Sequence, residues 1–402
     1  MPTGTNRTQL GEHNIKAVIH ALRRLGPSSQ QDIAAQARLS VQAVSVILRG
    51  LTRRGLVREV RSENMGRGRP RIILDLVPES AYSIGVHVDP SLLTAVLLDL
   101  AGTPVRTEHS TDVDPVDPHA SMDVAARLVH QLMDHTEFSR ERIVGSALAV
   151  PGRVDLEAGA ISDSVWLPQW NHVPLSKPLE TRIGMRVPLV KDTFAAVAGE
   201  IWVRGPELLG ATTVFVYFGI GTGLGVAVSG RPVSGETGNA GQAGRLFEIL
   251  AGSTEQSATT SHDPVSLVRA AHGSGIFDGP APERSDIAAV DSRFRSLCSR
   301  AAGGDAAATE LLQQGGRRIH QVAAVVADVL DAGVVVLGGP YWPILSGALF
   351  VDAQREIAST SPPQGRSVAV LSSALGPDAG AIGAASRVLD QHFSPQNGPG
   401  AN

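Results

Sequence analysis

Residues 219–225 have the sequence Gly219-Ile-Gly-Thr-Gly-Leu-Gly225, with a glycine at every second position. The turn lies between two strand-like segments, 212–218 and 224–228. Because glycine has no side chain, the backbone amides of such a turn can closely approach a phosphate or a sugar. Tight turns between strands also require glycine, and for an isolated run of this kind the structural explanation is the stronger. The stretch therefore predicts a strand–turn–strand unit whose role depends on its surroundings.

On both sides of this turn the chain alternates between strand-like and helix-like segments. We predict strands at 82–88, 93–100, 142–150, 187–190 and 334–337, and helices at 121–135, 193–203, 313–330 and 380–389. Residues 251–310 are rich in Ala, Ser and Gly and indicate helices joined by loops. This order is typical of an α/β body with two lobes.

The composition suits a globular chain of two or three domains. Of its 402 residues, 43% are hydrophobic and 18% charged, and no apolar stretch is long enough to predict a membrane span. The amino terminus lacks the apolar core of a signal peptide. The single cysteine, Cys298, excludes an internal disulfide and a thiolate zinc cluster. We therefore expect a cytoplasmic protein with no metal site, no cofactor and no membrane partner.

The net charge of −4 conceals an asymmetry along the chain. Residues 1–75 carry 13 Arg and Lys against 5 Asp and Glu, a net charge of +8. The remaining residues carry 22 basic and 34 acidic side chains, a net charge of −12. A basic head on an acidic body favours contact between the head and a polyanion. An Arg-rich segment without a partner is the alternative, and charge alone does not decide between them.

The head predicts three helices. Apolar residues at helical spacing indicate the first at 12–25, which ends at Gly26-Pro27. Ser28 begins a Ser-x-x-Gln capping box for the second helix, and Ser40 caps the third after a turn at Arg38-Leu39. The predicted inner stripe of the third helix is Val41, Val44, Ile47, Leu48 and Leu51. Two short helices, a tight turn and a third helix make a helix-turn-helix.

The outward side of the third helix of such a unit meets base edges in the DNA major groove. The candidate DNA contacts on this helix are Ser40, Gln42, Ser45, Arg49, Arg53 and Arg54. Gln pairs well with adenine and Arg with guanine, whereas the last two arginines suit phosphates. A merely solvated polar face is the alternative. We favour DNA because a capped helix and a tight turn precede this face.

Strand-like segments at 56–60 and 72–74 flank Gly66-Arg-Gly-Arg-Pro-Arg71, and together they predict a wing at 56–74. Arg67, Arg69 and Arg71 lie on a Gly/Pro backbone that cannot form a helix. An extended segment of this kind fits a narrow, A·T-rich minor groove, whose potential attracts arginine. Contact with phosphates alone is an equal alternative.

Six short motifs follow the head in a fixed order. They are Pro151-Gly-Arg-Val-Asp155, Trp166-Leu-Pro-Gln-Trp170, Asp192 before a helix that ends in Gly199-Glu200, the turn at 219–225, Gly235-x-x-Gly-Asn-Ala-Gly241, and Ala379-Gly-Ala-Ile-Gly-Ala384. Together they resemble the ROK family of repressors, open-reading-frame proteins and sugar kinases, over residues 10–390. The resemblance implies an α/β fold: an N-terminal winged helix-turn-helix at 1–77, then a two-lobed, actin-like ATPase (sugar-kinase-like) domain at 80–395. Its lobes would be roughly 80–192 plus 379–392, and 193–378.

The same resemblance assigns chemical roles. Asp192 matches the catalytic aspartate of the family's kinases, and the turn at 219–225 matches one phosphate cradle. The other cradle is Asp-x-Gly-Gly-Thr in those kinases, and this chain has His87-Val-Asp-Pro-Ser91 there. Pro90 removes a donor amide, and no glycine allows close approach. We therefore expect no kinase activity, with Asp192 a vestigial catalytic residue.

The sugar contacts implied by the family are altered as well. Its Asn before the catalytic aspartate is Lys191 here, and the Glu and His of a later motif are Gln242 and Arg245. The candidate effector contacts are Lys191, Asp192, Gly219, Gly221, Thr222, Gly223, Asn239, Gln242 and Arg245. Lys191 and Arg245 could hold an anionic effector such as a sugar phosphate or sugar acid. Alternatively, Asp192 forms a salt bridge with one of these cations in a cleft that binds nothing.

These patterns predict a DNA-binding regulator, in the first instance a repressor, of carbohydrate-related genes. A sugar or sugar derivative would act by favouring one lobe closure. Because two-fold operators need two heads, we expect a homodimer or a higher homo-oligomer on double-stranded DNA. The alternatives are a ROK-type kinase that phosphorylates a hexose with ATP, and a constitutive regulator without an effector. The charge of the head and the altered first phosphate loop favour the ligand-controlled regulator.

Overall fold

The computed structural model describes residues 7–63, 71–134, 139–208, 210–250, 262–359 and 368–393. The helices are α1 (Arg7–Leu25), α2 (Gln30–Ala37), α3 (Val41–Arg53), α4 (Pro118–Met133), α5 (Ser176–Ile183), α6 (Asp192–Arg204), α7 (Gly244–Leu250), α8 (Pro264–Gly273), α9 (Ile287–Ala302), α10 (Ala306–Val329), α11 (Trp342–Ser359) and α12 (Ala379–Phe393). The strands of the head are β1 (Ser28–Ser29), β2 (Val57–Glu63) and β3 (Arg71–Leu76). Those of the body are β4 (Tyr82–Asp89), β5 (Leu92–Asp99), β6 (Pro104–Ser110), β7 (Ile143–Val150), β8 (Arg153–Asp155), β9 (Ala160–Asp163), β10 (Leu189–Lys191), β11 (Thr213–Phe218), β12 (Thr222–Val228), β13 (Arg231–Pro232), β14 (Val334–Gly338) and β15 (Ala369–Ser372).

The head has the three predicted helices, although α1 begins at Arg7 rather than at residue 12 and the start of α2 also differs. The three helices pack beside a small antiparallel sheet in the order β1-β3-β2. The cap of α2 is Ser29 rather than Ser28, and its capping-box partner is Asp32. Ser28 is instead paired with Leu74 across β1 and β3. Ser29 pairs with Ile73 in the same strand and also caps the helix, which begins at Gln30, one residue later than a Ser28 cap predicts.

The third helix of the head has the predicted cap and most of the predicted core stripe. The Ser40 hydroxyl accepts a hydrogen bond from the Ala43 amide at 3.2 Å. Val44 and Leu48 are buried. Val41, predicted to belong to the same stripe, is 47% exposed. Val41 is the first residue of α3, and the first residue of the helix that is buried in the core is Val44.

The body contains two five-stranded sheets among its described residues. The first has the order β10-β7-β4-β5-β6 and the second the order β13-β12-β11-β14-β15. Parallel pairs (β4 with β7, β11 with β14) lie beside antiparallel ones in both sheets. Helices α6 and α12 pack against each other between the sheets: α12 contacts β4 and β7, and α6 contacts β11 and β12.

Glycines bring α6 and α12 into close contact. A Cβ built on Gly383 of α12 would lie 1.6 Å from the carbonyl oxygen of Ala195 in α6. A Cβ on Gly85 of β4 would lie 1.9 Å from the carbonyl oxygen of Ala381. No side chain fits in such gaps, so α12 is held between α6 and the first sheet by direct backbone contact.

The head is packed onto the body. Helix α1 contributes Val18 and Leu22 to a hydrophobic cluster that also contains Ala385 and Leu389 of α12. The guanidinium of Arg23, whose side chain is 8% exposed, lies 3.2 Å from the ring centroid of Trp202. It also donates a 3.0 Å hydrogen bond to Asp390 at the end of α12. The head and α12 therefore share one continuous core.

Candidate functional site

The outward face of α3 combines polar, charged and apolar side chains. Gln42, Val46, Arg49 and Arg53 lie one helical turn apart along this face, and all four are exposed. Ser45 is half-buried beside the face, and its hydroxyl accepts a 3.4 Å hydrogen bond from Arg49. Four of the predicted DNA contacts thus lie on or beside one exposed helix face. Val46 lies on the same face and was not predicted as a contact.

Two further predicted contacts on this helix occupy its ends. Ser40 is the N-terminal cap, with its hydroxyl used by the Ala43 amide. Arg54 is the C-terminal cap residue, is exposed, and adjoins Arg53 in the last turn. The arginines therefore lie toward the carboxyl end of the helix and the glutamine toward its amino end, as the sequence implies.

Of the three arginines predicted in the wing, one lies within the described residues. Arg67 and Arg69 lie outside the described residues. Arg71 is the first residue of β3, and its guanidinium donates to the Ser29 hydroxyl at 2.7 Å and forms a salt bridge with Asp32. It therefore ties the wing to the start of α2. Its predicted role in contacting DNA remains a prediction.

The nine predicted effector contacts fall into three places. Lys191 and Asp192 lie where β10 meets α6, and Gln242 contacts Lys191 from the loop before α7, whereas Arg245 lies in α7 itself. Gly219 and Gly221 lie in the turn between β11 and β12, and Thr222 and Gly223 begin β12, where they pair with Phe218 and Tyr217. Asn239 lies on a separate loop that contacts β8.

Lys191 bridges the two lobes. Its side chain is buried, and its ammonium donates to the Gly152 carbonyl at 2.5 Å and to the Gln242 side-chain oxygen at 3.1 Å. Among the described residues, no carboxylate lies within ion-pair distance of this ammonium. The suggested salt bridge from Asp192 to Lys191 or Arg245 is therefore wrong: Lys191 has neutral partners instead, and Arg245 is exposed on α7.

Asp192 has the properties of a general base. It is the first residue of α6 and is buried, and one of its carboxylate oxygens accepts from the Thr193 amide at 2.6 Å. Burial raises the pKa of Asp192 to about 6, and the neighbouring Asp89 carboxylate adds to the rise while Lys191 opposes it. A carboxyl group with this pKa can accept a proton from a bound hydroxyl near neutral pH.

The glycine-rich turn is already occupied by a carboxylate of the protein. Asp89, at the end of β4, is buried and accepts hydrogen bonds from Ser91, from the Tyr217 hydroxyl at 3.2 Å and from the Ile220 backbone amide. A Cβ on Gly219 would lie 2.3 Å from one of its carboxylate oxygens. An amide that could face a phosphate in this turn therefore donates to Asp89, and burial raises the pKa of that carboxyl group.

The other glycines of the turn serve close packing. A Cβ on Gly221 would lie 2.4 Å from the indole nitrogen of Trp166, and one on Gly223 would lie 2.7 Å from the Thr193 methyl group. A Cβ on Gly225 would meet the Thr193 carbonyl at 2.2 Å. These contacts support the structural explanation of the repeated glycine, since the turn is fitted tightly against α6 and the first lobe.

Asn239 joins the lobes in the same region. Its side-chain oxygen accepts from the Val154 amide at 2.7 Å, and its nitrogen donates to the Val154 carbonyl at 2.9 Å. Trp166 of the first lobe lies under the guanidinium of Arg284 from the second, 4.5 Å from the ring centroid. Asn239 therefore acts as a bridge between lobes, and its use as an effector contact remains a prediction.

Sequence reasoning missed a buried polar group at the base of this cleft. The His87 ring packs edge-on against Tyr217, with centroids 5.9 Å apart, and a Cβ on Gly380 of α12 would meet that ring at 2.6 Å. Burial lowers the pKa of His87 to about 4, so its ring is neutral. The altered His-Val-Asp-Pro-Ser stretch was the sequence signal for this polar group. The contact with Tyr217 could not be predicted, because Tyr217 is 130 residues away from His87 in the chain.

The second lobe also contains a small pocket behind the turn. Its lining includes Gly219 and Thr222, two of the predicted effector contacts, but consists mostly of apolar residues such as Phe218, Leu312, Ile319 and Leu349. These walls are apolar and offer few groups that could bind sugar hydroxyls. Polar groups converge instead around Lys191 and Asp192, which makes that region the better candidate for a polar ligand.

Within the described ranges, no group of three His, Cys, Asp or Glu side chains is arranged to hold a metal ion. Over the same ranges, no helix combines the length and apolar character that a membrane span needs.

Comparisons with known proteins agree with this architecture. The model of the ROK family matches residues 84–262, and that of the MarR family matches residues 16–68. The DNA-binding transcriptional dual regulator NagC of Escherichia coli is 24% identical over 332 residues, covering 81% of this chain and 80% of NagC. The DNA-binding transcriptional repressor Mlc of the same organism is 22% identical over 360 residues, covering 83% of this chain and 82% of Mlc.

The fold is also shared with a solved structure. A ROK family transcriptional regulator, described as a homologue of the E. coli Mlc protein, superposes with a TM-score of 0.71 at 19% identity, covering 96% of this chain and 97% of that one. Both the resemblance inferred from the six motifs and the predicted fold class are confirmed. Residues 84–262 are therefore similar to the ROK family, and a MarR-like winged helix-turn-helix precedes them at the amino terminus.

Proposed function

We propose that this protein is a cytoplasmic, DNA-binding transcription regulator of carbohydrate-related genes, with residues 1–77 as its DNA-binding domain and 80–395 as its effector-sensing domain. The observation that carries the proposal is the exposed face of α3, where Gln42, Arg49 and Arg53 project from a head with a net charge of +8. Such a face fits base edges and phosphates in a major groove. The relatives NagC and Mlc, a DNA-binding dual regulator and a DNA-binding repressor, support the same function.

The effector would act through α6 and α12. Asp192 begins α6, and the amino end of α12 packs against His87 beneath the cleft. The far end of α12 holds Arg23 of the head through Asp390. A ligand that favours one closure of the lobes would move this helix pair, and the head with it. In a homodimer, the spacing of two heads along DNA would change.

The cleft suits a carbohydrate-type ligand with hydroxyl groups. Asp192 supplies a hydrogen-bond acceptor, and the Lys191 ammonium and the Gln242 amide supply donors beside it. Lys191 is a buried cation without a carboxylate partner in the described structure, so a carboxylate or phosphate on the ligand would be favourable there. The effector class is therefore a sugar or an acidic sugar derivative.

The direct experiment is DNA binding by the full chain. We expect duplex fragments from its own promoter region to bind specifically in about 50 mM salt, with affinity falling steeply as salt increases. One member of a panel of neutral, phosphorylated and acidic sugars should shift that affinity roughly five- to 150-fold. Lys191→Ala should weaken the ligand response while the variant still binds promoter DNA. Failure to bind any promoter fragment at low salt would refute the proposal.

We also infer that the protein has lost kinase activity. The Asp89 carboxyl group takes the Ile220 amide of the glycine-rich turn that a nucleotide phosphate would need, and Pro90 removes an amide from the facing loop. Only Asp192, with its pKa of about 6, favours the kinase alternative. We therefore expect no ADP release above background from ATP and a panel of hexoses. Turnover that Asp192→Asn abolished would establish the kinase alternative instead.

A further inference from the structure

The recognition face of α3 has an apolar side chain at its centre. Val46 is 61% exposed. Counting residues at 100° each, it lies opposite the buried Val44 and Leu48, on the stripe shared by Gln42 and Arg49. Ser45 lies to the side of this stripe. Val46 is therefore more central on the proposed DNA-facing surface than the predicted Ser45.

Exposure alone would not make Val46 notable, because single apolar residues are common on protein surfaces. Its location does. The neighbouring side chains one turn before and after it are a glutamine and an arginine, and the whole face belongs to a strongly basic head. That charge favours a polyanion as the occupant of the face. In the major groove of DNA, the 5-methyl group of thymine is the apolar feature available to such a side chain.

We propose that Val46 contacts the 5-methyl group of a thymine and so determines the base preferred at one position of each half-site. This inference rests on the proposed DNA-binding function and names a specificity-determining residue within it. The partner is duplex DNA, and the recognised group is a single methyl.

The spacing along α3 places this thymine relative to its neighbours. Gln42 and Val46 are separated by four residues, or about 6 Å along the helix axis, and Val46 and Arg49 by three residues, or about 4.5 Å. Base pairs are stacked about 3.4 Å apart. The preferred adenine, thymine and guanine should therefore follow one another at intervals of one to two base pairs.

The test starts from duplexes that the full chain selects out of a randomised library. Each thymine common to the selected sites is then replaced singly by deoxyuridine, which lacks only the methyl group, and binding is measured by fluorescence anisotropy. At one thymine per half-site we expect affinity to fall about fourfold, the effect of removing one buried methyl group. The Val46→Ala variant should bind the thymine and deoxyuridine duplexes with nearly equal affinity.

A matched control is Val351→Ala, since Val351 is a helical valine of similar exposure, 65%, on α11 of the body. This variant should retain the full discrimination between thymine and deoxyuridine. The inference is overturned if selected sites contain no common thymine, if deoxyuridine is tolerated at every position, or if Val46→Ala discriminates as well as the parent. If the chain selects no sequence at all, the proposed function fails, and this inference fails with it.

Discussion

Replacing Arg49, Arg53 and Arg54 together by alanine is expected to reduce DNA affinity by at least about a hundredfold at physiological salt. A bidentate arginine–guanine contact is worth about 1–3 kcal/mol of discrimination. For each duplex phosphate that the protein no longer neutralises, the slope of log K against log salt becomes shallower by about 0.9. The three side chains are exposed on or just after α3, and among the described residues Arg49 and Arg53 make only 3.4 Å hydrogen bonds, to the Ser45 hydroxyl and the Arg49 carbonyl, so the head should remain folded.

The single changes separate base contacts from phosphate contacts. Arg49→Ala should relax the preference at one base pair, whereas Arg53→Ala and Arg54→Ala should weaken all duplexes alike and flatten the salt dependence. Anisotropy titrations between about 50 and 200 mM salt measure both effects. Arg355→Ala is the control, because this arginine of α11 is 73% exposed and belongs to the body. An unchanged salt slope in the triple variant would contradict the placement of α3 on DNA.

The helices of the head could be predicted because their signals are local. A capping serine, a periodic apolar stripe and a glycine stop all lie within one helix and its flanks. Ser40 caps α3 as expected. The error at Ser28 was a choice between two overlapping local patterns, Ser28-x-x-Gln31 and Ser29-x-x-Asp32, of which the structure uses the second.

In the body, the buried strands were predictable and several peripheral elements were not. Strand β11 is fully buried and mostly apolar, and the fully buried β4 has apolar residues at alternate positions; sequence reasoning recognises both patterns well. Strand β6 is partly exposed at a sheet edge and carries mixed polar residues, so it has no clear alternation. Helix α11 begins Trp342-Pro343, and a proline after a glycine-containing turn was as consistent with a loop as with a first helical turn.

Partners across the cleft could not be predicted from spacing. Tyr217 donates to Asp89, and Asn239 pairs with Val154, across 128 and 85 residues of sequence. The family motif marked Lys191 as altered but could not show that its ammonium takes the Gln242 oxygen rather than a carboxylate. Such pairings depend on how the two lobes are joined, and α6 and α12 form that joint.

The largest expected effect on stability therefore comes from Gly383→Ala in α12. Its Cβ would lie 1.6 Å from the Ala195 carbonyl oxygen, a backbone atom that cannot move without shifting α6. We expect the free energy of unfolding of the body to fall by about 3 kcal/mol or more, as in severe overpacking. Gly85→Ala, which meets the Ala381 carbonyl oxygen from the opposite side of α12, should have a similar effect.

The control is the same substitution in another helix. A Cβ on Gly347 of α11 meets nothing within 4 Å, so Gly347→Ala should be neutral or stabilising by up to about 1 kcal/mol, because alanine favours the helix. Thermal unfolding followed by circular dichroism compares the three variants. Since α12 also holds the head through Asp390, Gly383→Ala should reduce ligand-controlled DNA binding together with stability. Equal melting temperatures for Gly383→Ala and Gly347→Ala would show that α6 and α12 are not in direct backbone contact, and the proposed route from the cleft to the head would then fail with that contact.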